Sequence, residues 1–107
     1  MTPQDMTGRR VVDNRGDTVG KLTDVMFSDG PAADPQWAIV SHGTLKTHRR
    51  VVPMSQMYES GFDDGDPHLV VNMDKDVVRH APEIGGRDDA VTPEFERVLV
   101  DYYGSAV

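Results

Sequence analysis

Few side chains in this sequence have the types and spacing needed for catalysis. The chain has no Cys, which excludes thiol chemistry, disulfides and cysteine-ligated zinc or iron–sulfur sites. It has no Gly-x-Ser-x-Gly elbow. Ser41 and His42 are neighbours on a predicted strand, where adjacent side chains point to opposite faces. The sequence therefore predicts no nucleophilic site, and we expect a protein that is not an enzyme.

Histidine and aspartate residues raise the question of a metal site. None of the 4 histidines has His-x-x-x-His spacing: His42, His48, His68 and His80. A group of aspartates could hold a hard cation, but its spacing does not match a calcium loop: Asp63, Asp64, Asp66, Asp74 and Asp76. Glycine patterns that cradle phosphate or a dinucleotide do not occur. We interpret the histidines and aspartates as solvated surface residues, and expect no metal and no cofactor.

The charge balance restricts the partners. Eighteen acidic and 11 basic residues give a formal net charge of −7, which opposes binding to nucleic acid or to an anionic membrane surface. The one basic cluster is His48-Arg49-Arg50. It could dock an acidic partner or an RNA phosphate, but we favour charged residues on an edge strand, where they discourage pairing between sheets. Trp37 is expected to pack in the core, with an interface role as the alternative.

The elements that would position these residues are mostly strands. Alternation and turn signals predict strands over residues 10–13, 18–27, 36–41, 50–53 and 68–73. Gly20 lies inside the longest of them and predicts a bulge or bend. Residues 54–60 fit either an extended segment or one helical turn, and residues 76–80 fit a short helical turn.

The end of the sequence predicts a helix over residues 92–104. Thr92 suits the N-cap, Pro93 the first helical position and Gly104 the C-cap. Tyr103 should then point away from the protein, towards a partner. The spacing i, i+3, i+4, i+7 predicts one buried stripe, made of Phe95, Val98, Leu99 and Tyr102.

Several strands are apolar on both faces. Trp37 and Ile39 alternate with Ala38 and Val40, and Val51-Val52 shows the same property. A barrel interior explains only one of the two faces, so the other must be covered by the C-terminal helix or by a second subunit. We therefore expect a homodimer or a helix-covered barrel.

The order of these residues resembles the PRC-barrel family. The most specific part is Asp-x-x-Gly-x-x-x-Gly-Lys-x-x-Asp-Val, which begins at Asp13 and ends at Val25. Residues 35–40, 51–53, 69–71 and 77–82 continue the resemblance, which covers residues 7–82. Residues 83–91 are interpreted as a linker. The segment 92–104 is similar to extensions of standalone actinobacterial members of this family.

The resemblance implies a mainly β fold, a small barrel of about five or six strands with a C-terminal helix. The family includes a subunit of photosynthetic reaction centres and half of a ribosome maturation factor, so it implies protein contacts and no catalytic residues. We expect a cytoplasmic interaction or assembly module, homodimeric and bound to a further protein. A small-ligand or metal-binding barrel and a ribosome- or RNA-associated factor are the alternatives. The candidate partner surface comprises Trp37, His48, Arg49, Arg50, Phe95, Tyr102 and Tyr103.

Overall fold

The structure is a computed structural model that describes residues 7–26, 37–43, 48–61, 63–85 and 91–106. Within these residues it has six strands, namely β1 (Arg10–Val12), β2 (Thr18–Met26), β3 (Trp37–His42), β4 (His48–Pro53), β5 (Met57–Ser60) and β6 (His68–Val71). A 3-10 helix, Met54–Gln56, joins β4 to β5, so the ambiguous segment contains both a helical turn and a strand. Two helices complete the fold, α1 (Lys75–Arg79) and α2 (Pro93–Ala106).

All six strands belong to one sheet in the order β4-β3-β2-β1-β6-β5. Each neighbouring pair is antiparallel except β1 and β6, which are parallel. The outer strands β4 and β5 follow each other in the chain and are separated by three residues only. A connection this short keeps the two edges of the sheet together. The expected small, mainly β barrel with a C-terminal helix is confirmed.

β2 is a long strand that bends as it passes β1 and β3. Its register shifts against β1 between Val11 and Val12, opposite Gly20, as the sequence predicts. A Cβ atom on Gly20 would lie 2.2 Å from the Ser41 carbonyl oxygen, so only glycine permits this approach of β2 to β3. Gly20 therefore determines how closely β2 and β3 pack.

β3 is buried on both faces. All six of its residues are buried, from Trp37 to His42. The sheet supplies one side of this environment, and the chain after β6 contributes further core residues, which are Met73, Val78, Ala81, Ile84, Val91, Leu99 and Tyr103. The chain's own C-terminal segment thus covers the barrel, and association of two copies remains a prediction.

The capping of α2 is as predicted, but its buried face is rotated. The Phe95 amide donates to Thr92 Oγ1 at 3.2 Å. Leu99 is fully buried, whereas Val98 is 51% exposed and Tyr103 only 8% exposed. Residues at i and i+4 share a helix face, so Tyr103 lies beside Leu99 and faces the barrel. The predictions that Val98 is buried and that Tyr103 points outward are therefore wrong.

The regions around residues 83–91 and 104 also differ in part from expectation. Gly104 lies inside α2, which continues to Ala106, so Gly104 is not a C-cap. The first residues of the interpreted linker are paired with the barrel: Ile84 is buried, and its amide donates to the Arg49 carbonyl at 3.0 Å. Residues 86–90 lie outside the described residues.

We predict that Gly20→Ala lowers the free energy of unfolding by about 3 kcal/mol, because the new methyl group overlaps the backbone of β3. Gly104→Ala is the matched control. Its Cβ meets nothing within 4 Å, and alanine favours the helix, so stability should rise by up to about 1 kcal/mol. Urea unfolding of both variants measures the difference. Equal effects of the two substitutions would contradict the role given to Gly20.

Candidate functional site

The predicted basic cluster on β4 binds a segment of the same chain. The Val51 amide donates to the Pro82 carbonyl, so residues 81–85 run beside β4. All three basic side chains reach this segment: His48 Nδ1 lies 2.8 Å from Glu83 Oε1, Arg49 Nη1 donates to the Gly85 carbonyl at 2.8 Å, and Arg50 Nη1 donates to the Ala81 carbonyl at 2.8 Å. We call this arrangement the β4 clamp. It covers an edge of the sheet, which is a structural role for charges that could otherwise dock a partner.

Arg50 also contacts a buried histidine that the sequence placed at the surface. Its Nε donates to His42 Nε2 at 3.2 Å, and His42 is 8% exposed. The His48 ring stacks on the His42 ring with centroids 5.1 Å apart. Since His42 Nε2 accepts a hydrogen bond, this imidazole must be neutral, with its proton on Nδ1.

The electrostatics of the β4 clamp agree with that assignment. Burial lowers the pKa of His42, and the positive charges of Arg50 and Arg79 lower it further, against the opposing effect of Glu83. The hydrogen bond from His48 lowers the pKa of Glu83, against the effect of burial. A neutral His42 beside an ionised Glu83 is therefore the stable state at neutral pH.

A second buried polar centre, Asp13, was not recognised as such from the sequence. It is 3% exposed. Its Oδ1 accepts the Arg15 and Asp17 amides at 2.9 and 2.8 Å, and its Oδ2 accepts the Lys75 amide at 3.1 Å. Burial raises the pKa of Asp13, but these three hydrogen bonds outweigh it and the pKa is lowered.

The sequence that follows Asp13 has a spacing that is typical of a turn. Gly16, three residues later, has a φ of +87°, which only glycine adopts readily. An aspartate whose carboxylate accepts amides of the following residues is the usual start of such a turn. The carboxylate thus joins the β1–β2 turn to the beginning of α1 and is occupied by structural hydrogen bonds.

Two tyrosines hold α2 in place, one on α1 and one on the barrel. Tyr102 OH donates to the Val77 carbonyl, and Tyr103 OH donates to the Val51 carbonyl. Burial raises the pKa of both phenols, so both remain neutral donors across the physiological range. Phe95 is half-buried on the same side of the helix. These three members of the candidate surface anchor the helix, and their contact with a partner stays a prediction.

An open groove of about 450 Å³ runs beside α2. One wall comes from the barrel and the other from the helix, and the lining residues are Trp37, Pro53, Ser55, Gln56, Leu99, Val100, Tyr103 and Gly104. Trp37 is 6% exposed and belongs to the core cluster, as its expected core role requires. Val100, which the sequence analysis did not select, is 59% exposed at this groove.

The candidate surface is thus divided between two places. Trp37 and Tyr103 line the groove, whereas the three basic residues form the β4 clamp. Among the described residues, no group of His, Asp and Glu could hold a metal ion. Neither of the two helices described above is long and apolar enough to cross a bilayer.

We predict that His42→Asn weakens the loss of stability on acidification. Because the pKa of His42 is lowered in the folded state, its contribution is fully present above the ordinary value of 6.5, and it is lost as the pH falls from there towards the folded pKa. Asparagine can accept from Arg50 but does not titrate. Urea unfolding between pH 8 and pH 5 measures this.

His80→Asn is the control, because His80 is an exposed histidine at the end of α1. It should keep the steeper wild-type dependence on pH. If the stability of His42→Asn fell as steeply on acidification as that of the wild type, another group would be the cause of the pH dependence.

Comparison with known proteins agrees with this architecture. The family model for the PRC-barrel domain matches residues 2–78, about 70% of the chain. The match spans β1 to β6 and most of α1, and it includes Asp13, Gly16 and Gly20, whereas α2 lies beyond it. No curated protein shows significant similarity to the chain. The chain therefore belongs to the PRC-barrel domain family.

Proposed function

We propose that this protein is a non-enzymatic interaction and assembly module that associates with itself and with a further protein. The observation that carries the proposal is the groove beside α2, where Val100 is 59% exposed next to Trp37 and Leu99. Exposed apolar side chains beside a groove are typical of surfaces that contact other proteins. A cytoplasmic location is part of the proposal, because a net charge of −7 opposes adhesion to anionic membranes.

The chemistry of the groove supports binding rather than catalysis. Among the described residues that line it, those with polar side-chain atoms are Trp37, Ser55, Gln56 and Tyr103. The Tyr103 hydroxyl is already bonded to the Val51 carbonyl, and burial raises its pKa. The described lining residues thus include no carboxylate, imidazole or amine to transfer a proton near pH 7. Apolar walls with a few polar groups suit a packed contact.

The buried ionisable residues elsewhere point in the same direction. His42 is a hydrogen-bond acceptor for Arg50, and Asp13 accepts three backbone amides. Both therefore stabilise the fold in their present protonation states. The RNA-associated alternative is weakened because the basic cluster it would use is engaged with residues 81–85.

A small apolar ligand is the second candidate. The groove volume of about 450 Å³ lies in the range of small-molecule sites. Such sites usually enclose most of the ligand, whereas this groove is open along one side of the helix. The open shape favours a protein surface over a small molecule as its occupant.

Native mass spectrometry of untagged protein, purified without added metal or chelator, tests the proposal. We expect the mass of two chains of 11.8 kDa each with no additional mass. A stoichiometric non-protein adduct would instead support the ligand-binding alternative. If the protein remained a bare monomer up to about 100 μM, any affinity between two copies would be weaker than that of ordinary specific complexes. This result would contradict self-association.

A further inference from the structure

Helix α2 carries two shallow depressions that meet at Val100. The first is the groove shared with the barrel. The second runs along the helix itself and is lined by Pro93, Glu96, Arg97, Val100 and Asp101. Val100 is therefore an exposed apolar side chain at the centre of a surface whose outer part is charged.

Two opposite charges lie on one flank of this surface. A helix turns about 100° per residue, so Arg97 and Asp101 are rotated to the same side of Val100, by about 60° and 100°. They are about 6 Å apart along the helix axis. Both side chains are exposed, and among the residues that the structure describes neither of these side chains takes part in an ion pair or hydrogen bond. On this flank Arg97 lies towards the N-terminal end of α2 and Asp101 towards its C-terminal end.

We propose that the occupant of this surface is the α2 helix of a second copy, packed antiparallel about a two-fold axis level with Leu99. A two-fold axis at this height places Arg97 opposite Asp101 of the second copy, and Asp101 opposite Arg97 of that copy. Val100 then packs against its own equivalent. In a parallel pair the two-fold axis runs along the helices and places these residues of the two copies on opposite flanks of the contact, so Arg97 and Asp101 can pair between copies in the antiparallel orientation only.

This inference rests on the proposed function and specifies its interface. The second helix packs on Val100 at the edge of the groove, while Leu99 and Tyr103, on the other side of Val100 from the two charges, remain packed on their own barrel. Val98 is exposed to a similar degree, 51% against 59% for Val100. It lies about 160° from Val100 around the helix, outside the contact, and so provides a matched control.

The first test compares Val100→Asp with Val98→Asp by sedimentation equilibrium. A buried carboxylate at the centre of the contact should weaken self-association at least about tenfold, whereas the same charge at Val98 should change it less than about threefold. Far-UV circular dichroism verifies that α2 is retained in both. Equal effects of the two variants would overturn the proposed interface.

The second test uses charge reversal. Arg97→Asp and Asp101→Arg each place two like-charge pairs in the contact, so each single variant should self-associate about tenfold more weakly at low salt. The double variant restores both pairs and should recover wild-type association. An equimolar mixture of the single variants should form the heterodimer preferentially, since every pair in it is again opposite in sign.

Native mass spectrometry resolves the mixture, because the two single variants differ in mass. Heterodimer in clear excess over the statistical proportion, together with weakened single variants and a recovered double variant, supports the antiparallel pairing, and a statistical proportion overturns it. A wild-type dimer that none of these substitutions weakens would refute this interface and leave the proposed self-association standing. A wild-type monomer at every concentration would refute both.

Discussion

The structure depends on one constraint, the burial of β3 on both faces. All six of its residues are buried, although the sheet can enclose only one side of the strand. The other side has to be covered, and the chain after β6 contributes Ile84 and Leu99, among others, to the same buried cluster as β3. The family match ends at residue 78, so part of the cover lies beyond the matched domain. For this protein, α2 belongs to the fold as much as the strands do.

Most of the polar residues described above hold the turns and the chain after β6 in place. The β4 clamp holds residues 81–85, the tyrosine hydroxyls hold α2, and the Asp13 carboxylate joins the first turn to α1. Buried polar groups are stable only when hydrogen-bonded, so these residues are committed to the fold. Among the described residues, the apolar groove and one flank of α2 are not engaged in these contacts. The proposed interaction module rests on this groove and this flank.

Local patterns predicted much of this architecture, and long-range contacts account for what they missed. Turn residues placed the strands, Gly20 indicated the bulge, and Thr92 marked the start of α2, because each signal acts over a few residues. The barrel surface beneath α2 determines which face of the helix is buried. The apolar periodicity alone therefore predicted the burial of Val98 instead of Tyr103. Likewise, the role of His42 depends on Arg50, which lies on an adjacent strand. The role of Asp13 depends on the Lys75 amide, 62 positions away in the chain.

Native-state hydrogen exchange tests most directly the claim that α2 is part of the fold. The measurement compares the most protected amides of α2 with those of β3, at protein concentrations where the chain is monomeric. If α2 covers β3 as described, both sets should exchange through the same global opening, with free energies within about 1 kcal/mol of each other and the same dependence on denaturant. If the α2 amides exchange through an opening several kcal/mol lower while β3 stays protected, the helix is an appendage and the account is wrong.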